Sequence, residues 1–214
     1  MIRLKAFLLP TEFCDSNNPR IIVRARKIVP GKTDQIEKAK LIKEWVQHHI
    51  KYRSDFRNLK ASETLSKVSG QCSNRANLQI AFLRALGVPA GYAVVAIKKE
   101  LFKPTSPPEF YRQISSPTTH IYCVIYDIKF EKWRHFDVLP HQALYNALQK
   151  IGEAELRSHN SKGESRYRSE YLASEIFIHS NIDHLLRAPP QWLTGEFIEA
   201  ANKYLKNLER TYSK

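Results

Sequence analysis

Near the middle of this 214-residue chain a helical period gives way to a buried strand within a few residues, and that junction limits the architectures open to it. From Cys72 to Leu86, the apolar residues Ala76, Ile80, Leu83 and Leu86 recur at spacings of three and four, one face of a helix. Gly87 and Pro89 stop it. Ala90-Gly-Tyr-Ala-Val-Val-Ala-Ile97 follows as a mostly apolar run, predicted to be a buried strand.

The flanking segments extend the pattern. Between Asp34 and Ile50, the residues Ile36, Ala39, Ile42, Trp45, Val46 and Ile50 mark a helix, with Asp34 as N-cap and Glu37 as the reciprocal partner of a capping box. Ala61 to Val68 is predicted to be a short helix, stopped by Gly70 in a positive-φ conformation. Met1 to Pro10 reads as a first strand, and Lys98 to Pro117 as a long Pro/Ser-rich loop of the kind that forms lids or binding loops. Thr119 to Tyr126 and Lys132 to Val138 form an antiparallel hairpin. Residues 141–150 and 151–159 are predicted helices, Ser158 to Arg168 a mobile polar stretch, and Tyr171 to Tyr212 two helical patterns separated by Pro189-Pro190. The first of these is marked by Phe177, Ile178, Ile182, Leu185 and Leu186. Helices, an antiparallel sheet and further helices make an α+β layout.

Composition narrows the classes. Hydrophobic residues are 43% of the chain, enough for a packed core, so disorder is excluded, and no apolar run is long enough to span a membrane. The N-terminus lacks the cleavage site of a secretory signal, so a cytoplasmic protein is expected. Cys14, Cys72 and Cys123 fit neither a disulfide framework nor a metal motif, and are read as reduced thiols. The formal charge of +13 is uneven: residues 1–70 hold 15 basic and 7 acidic side chains, residues 71–140 hold 9 and 5, and residues 141–214 hold 10 and 9. Arg24, Arg26 and Lys27, with Lys32, Lys38, Lys40 and Lys43, form the basic region. No aromatic-interleaved RNA platform or DNA-binding motif accompanies it, so it suits an acidic protein partner better than nucleic acid.

Cys72 opens the central helix, where unpaired N–H groups and the helix dipole favour a thiolate and can hold an oxyanion. Nucleophilic catalysis also needs a base and a group to orient it. His120 starts one strand of the hairpin and Asp137 ends the other, which makes them neighbours across the pair. A lone cysteine at a helix start is most often a small buried hydrophobe, and a lone strand histidine an ordinary polar residue, so the combination carries the argument. His135, Asp137 and His141 match no metal-ligand spacing, and His48-His49 complement a helix C-terminus.

Gly70-Gln-Cys72-Ser-Asn-Arg-Ala76 and Ala81-Phe-Leu-Arg-Ala-Leu-Gly-Val-Pro-Ala90 resemble the nucleophile helix of the transglutaminase-like superfamily, a circularly rearranged relative of the papain fold. Thr119-His-Ile-Tyr and Trp133-Arg-His-Phe-Asp137 resemble its histidine and aspartate strands, and Trp45 to Tyr52 with Ala61 to Leu65 resemble the two segments that precede the cysteine. The chain departs from the family pattern at Ile121-Tyr122, where a small residue and then an aromatic usually follow the histidine, and in lacking a proline directly after Asp137. The resemblance implies a Cys72–His120–Asp137 triad with Cys72 as nucleophile, and no cofactor or metal. It places Gln71 and Tyr52 where they would donate to an oxyanion or shape the pocket. Residues 1–150 are then the catalytic domain and 151–214 a helical extension packing on it, with the 98–117 loop bordering the pocket.

Three functions fit these residues. One is an acyltransferase that loads an acyl group on Cys72 and passes it to an amine, with an acidic carrier-protein thioester as donor suited to the basic surface. The second is a hydrolase of peptide or isopeptide bonds using the same residues, and the third a silent binding module. Oligomeric state is left open by the sequence.

Overall fold

The computed structural model describes residues 4–151, 157–167 and 169–212. Along them the elements run α1 (Pro19–Ile28), α2 (Gln35–His49), β1 (Lys51–Tyr52), α3 (Ala61–Lys67), β2 (Ser69–Gly70), α4 (Cys72–Ala85), β3 (Ala90–Ile97), α5 (Pro108–Tyr111), β4 (Thr118–Asp127), β5 (Lys132–Phe136), α6 (Gln142–Lys150), β6 (Arg157–His159), β7 (Ser165–Tyr167), β8 (Phe177–His179), α7 (Asp183–Arg187) and α8 (Gly195–Tyr212). The main sheet has the order β5-β4-β3-β8 with antiparallel neighbours throughout. Helix α4 packs on β3 and β4, and α1, α2 and α3 pack on α4 in turn. Among the described residues no helix is long and apolar enough to cross a membrane.

The 3.6-residue spacing in α4 suggests one apolar face, whereas the structure buries every residue from Ser73 to Arg84. Two of its polar side chains, Arg84 and Asn77, tolerate this because main-chain carbonyls from other segments accept from them. Arg84 donates to the carbonyls of Ala90 at 3.0 Å, Leu9 at 2.6 Å and Ser180 at 2.6 Å. Asn77 donates to the Phe13 carbonyl at 2.8 Å and accepts from the Tyr92 hydroxyl at 2.6 Å. Each such bond to a charged group contributes about 1.5–3 kcal/mol and fixes a loop against the helix.

Helix α2 begins as expected, with the Asp34 carboxylate accepting from the Glu37 N–H at 2.8 Å. The reciprocal half of the capping box is replaced by an ion pair of Glu37 with Lys32 at 2.6 Å. The stop after α3 is not a positive-φ glycine: Val68 takes the left-handed conformation at φ 49°, and Gly70 lies in β2. Gly70 serves close approach instead, since a Cβ there would sit 2.7 Å from Asn74 Cβ. The first strand expected at the N-terminus is a short 3-10 turn, Leu4–Phe7, because β8 occupies the free edge of β3. Phe7 packs its ring over Gly91 and against Trp133 at 4.7 Å.

Further corrections lie in the second half. Phe177 and Ile178, expected in a helix, form that edge strand β8. The 98–117 segment is not an open loop but a 3-10 turn (Lys99–Thr105) followed by α5, and its Phe102, Phe110 and Ile114 pack with Trp192, just ahead of α8, and Phe197 in its first turn. Residues 157–159 pair with 165–167 as a small hairpin rather than continuing a helix, so the stretch expected to be mobile is a paired strand, while residues 152–156 and 168 lie outside the described residues. Lys43 turns inward to the Gly163 carbonyl at 2.8 Å, which removes it from the basic surface.

Gly70→Ala is expected to lower stability by about 1–3 kcal/mol, because the added methyl group meets a side chain fixed on both sides. Urea denaturation of the two proteins measures it, and an unchanged midpoint would show that Asn74 yields.

Candidate active site

Cys72 is the first residue of α4, with Gln71 in extended conformation as its N-cap. The Gln71 N–H donates to Asn74 Oδ1 at 3.1 Å, which closes the first turn. The pairing of β5 with β4 ends at Cys123–Phe136, so β4 is unpaired on that side from Tyr122 back towards Thr118. The start of α4 meets this open edge. There the Ile121 N–H and the His120 side chain both hydrogen-bond the Cys72 sulfur.

The other side of the imidazole is occupied. His120 Nε2 lies 2.7 Å from Asp137 Oδ2, which leaves Nδ1 for the sulfur, and the two residues are only 5% and 4% exposed. Asp137 follows β5 directly, and its own N–H donates to Ser165 Oγ at 2.9 Å. The Tyr122 ring stacks on His120 at 5.5 Å, and its hydroxyl is 2.8 Å from His135 Nδ1. The histidine is thus held by a carboxylate, a ring and a sulfur.

Burial opposes charge on both central groups, and their pairing reverses it. Burial alone would raise the Cys72 thiol; the hydrogen bond and charge of His120, then the charge of Arg57 and the Ile121 N–H, bring it below the ordinary thiol value. Burial likewise works against the His120 imidazolium, but Asp137 and the Cys72 sulfur carry it up to about 9. Between these two pKa values the favoured state is thiolate beside imidazolium. Cys14 and Cys123 show the contrast: both are buried without such company, and burial pushes both thiols up.

The remaining candidates separate. Gln71 is beside the site, and one of the two N–H groups of its Nε2 donates to the Asp55 carbonyl. Tyr52 pairs with Gly70 across β1 and β2, two residues from Cys72, and its N–H donates to His141 Nδ1 at 3.0 Å. Burial holds His141 at about 4, and its Nε2 lies 3.0 Å from Glu209 Oε1. His135, Asp137 and His141 therefore turn to three different partners. Both His48 and His49 bond carbonyls at the end of α2, of Glu44 at 2.7 Å and Trp45 at 2.9 Å.

Two residues near the site escaped the sequence. Ser165 lies in a stretch that reads as polar loop, and only the folded β6–β7 hairpin brings it to Asp137. Arg57 is isolated among polar residues, yet it is 7% exposed and its charge acts on Cys72. Nothing in the sequence marks Arg57, since the buried asparagines Asn74 and Asn77 that hold its loop are recognisable as such only in the folded chain.

A thiol–imidazole–carboxylate row at the junction of a helix N-terminus and an antiparallel sheet defines a class of papain-like cysteine enzymes. The family model described as the transglutaminase-like superfamily matches residues 23–138, more than half of the chain, and the chain belongs to that superfamily. A crystal structure of a candidate cysteine protease from Cytophaga hutchinsonii shares the fold, with a TM-score of 0.50 at 24% identity over 63% of this chain. The match covers 41% of that protein, so the chain spans about two fifths of its length. No curated protein matches the chain.

An ordinary thiol, with a pKa of about 8.5, loses about tenfold in alkylation rate for each pH unit below it. Cys72 is expected to hold its iodoacetamide rate further down the pH scale, because its pKa is depressed. In Asp137→Asn the imidazolium is weakened, so the sulfur pKa rises and the profile moves back towards the ordinary range. Coincidence of the wild-type profile with that of glutathione would contradict this.

Proposed function

We propose that the chain is an acyl-transferring cysteine enzyme in which Cys72 carries the acyl group as a thioester, His120 moves protons and Asp137 orients His120. The observation that supports it is the unbroken row from the Cys72 sulfur through His120 to Asp137, with the Nε2–Oδ2 bond at 2.7 Å. The Cys72 thiolate adds to the carbonyl carbon of an amide or thioester, and the electron pair moves onto oxygen. The N–H groups at the start of α4 face that developing charge. As the intermediate collapses, the bond from carbon to the leaving nitrogen or sulfur breaks, and the imidazolium gives its proton to the leaving group.

An amine then adds to the thioester carbonyl while His120 accepts its proton. The C–S bond breaks, releasing an amide and restoring the thiolate and imidazolium. The exposed Arg20, Arg24, Arg26 and Lys27 of α1 give an acidic donor protein a surface to approach, which supports a carrier-borne acyl group. Water is the competing acceptor. Cys72 is half-buried rather than sealed, which favours some hydrolysis, since a thioester is protected only where water is excluded.

Intact mass after exposure to a panel of acyl thioesters and peptide amides, with and without an amine, tests the proposal. The expected result is an acyl adduct on wild-type protein that is absent from Cys72→Ala, with the ratio of amide to acid reporting the acceptor. His120→Ala is expected to lower turnover by about 10²–10⁴-fold. No adduct, together with Cys72 alkylation no faster than a free thiol, would instead favour a binding module.

A further inference from the structure

The loop between β1 and α3 carries a buried cation, Arg57, with no hydrogen-bond or ion-pair partner among the described residues. Most of the loop's other residues are tied down. Arg53 pairs with Glu209 at 2.5 Å, and the Ser54 N–H and carbonyl both bond Asn202 at 2.9 Å. The Asp55 carboxylate takes Lys67 and the Phe56 N–H, and its carbonyl takes Gln71. The Phe56 carbonyl accepts from Asn74 at 3.0 Å and the Leu59 carbonyl from Asn77 at 3.4 Å. Gln71, Asn74 and Asn77 flank Cys72 on the N-cap and first turns of α4, so this loop is clamped over the end of the helix that presents the sulfur.

Arg57 sits in the middle of that clamp. It is 93% buried by its 7% exposure, its Nε is closed off from solvent with no acceptor, and among the described residues no hydrogen bond or ion pair engages its guanidinium. The acid nearest in sequence, Asp55, is already committed to Lys67. Burying a charge without a partner is costly, and a fold that retains one has a use for it. The sulfur accounts for part of it, since the Arg57 charge favours the Cys72 thiolate. A thiolate is a single acceptor, already shared with His120 and the Ile121 N–H, whereas a guanidinium offers five donors in a planar fork.

We propose that Arg57 is an anion subsite beside Cys72 that receives a carboxylate of the substrate, next to the carbonyl under attack. The inference rests on the reading of Cys72 as the acyl-carrying residue. A carboxylate suits the fork because its two oxygens match two parallel N–H donors. Its single charge also matches that of the one guanidinium this loop supplies. The subsite then selects acyl donors with an acidic group within reach of the reacting carbonyl.

Iodoacetate and iodoacetamide test this, being nearly the same size and differing in carboxylate against amide. Cys72 alkylation is followed by intact mass in wild type, Arg57→Gln and Arg57→Lys. Loss of Arg57 also raises the Cys72 pKa and slows both reagents together, so the ratio of the two rates is the readout. The ratio is expected to fall by about tenfold or more in Arg57→Gln and to be partly restored in Arg57→Lys. On the unaltered protein, acetate is expected to slow iodoacetamide more than phosphate or chloride does at equal ionic strength.

An unchanged ratio with no protection by acetate overturns the subsite while rapid iodoacetamide labelling keeps the reading of Cys72. Stronger protection by phosphate overturns the carboxylate assignment in favour of a phosphoryl group. Iodoacetamide labelling no faster than that of a free thiol overturns the reading of Cys72, and the subsite with it. Should Arg57→Gln fail to fold, the acetate competition on wild type decides alone.

Discussion

Helix α4 is enclosed by the sheet on one side and α1, α2 and α3 on the other, and the rest of the structure depends on that enclosure. An enclosed helix cannot shift without opening the core, so its first residue, Cys72, has a fixed place. The polar residues that α4 buries turn this into a network: Arg84 gathers three carbonyls, Asn77 links Phe13 to Tyr92, and Asn74 holds Phe56. Packing and hydrogen bonding therefore aim the same atom. The sheet contributes the complementary feature, a strand β5 short enough to leave the edge of β4 open where the sulfur arrives.

Charge organisation follows from this placement. Burial alone would make Cys72 a neutral thiol and His120 a neutral ring, as it does for Cys14 and Cys123. Their juxtaposition lets each stabilise the other's charged form, and Asp137 biases the exchange towards imidazolium. Ser165 holds Asp137 by its main chain, so a residue beyond the segment that matches the family model helps position the carboxylate. Arg57 adds a second cation, clamped to α4 by Gln71, Asn74 and Asn77.

Features carried by periodicity and local chemistry were legible in the sequence. Helices α2 and α4, strand β3 and the β4–β5 hairpin appear where the apolar spacing puts them, and the nearness of His120 to Asp137 follows from hairpin geometry alone. What escaped depends on contacts distant in sequence. Phe177 and Ile178 have the composition of either a helix face or a strand, and only the free edge of β3 decides between them. The all-round burial of α4 is hidden because Asn77 and Arg84 read as a solvent face until carbonyls arrive from Phe13, Ala90 and Ser180. Arg57 is hidden for a related reason: its loop has no period, and the bonds that hold the loop in place come from side chains of α4 and its N-cap.

The central claim is that Cys72 and His120 form one charged pair, and an NMR titration of the His120 imidazole in isotope-labelled protein tests it most directly. The account predicts a midpoint at about 9 that falls when Cys72 is blocked as a methyl disulfide, because the thiolate that supports the imidazolium is then gone. A midpoint near the ordinary histidine value of about 6.5, indifferent to blocking, would contradict it.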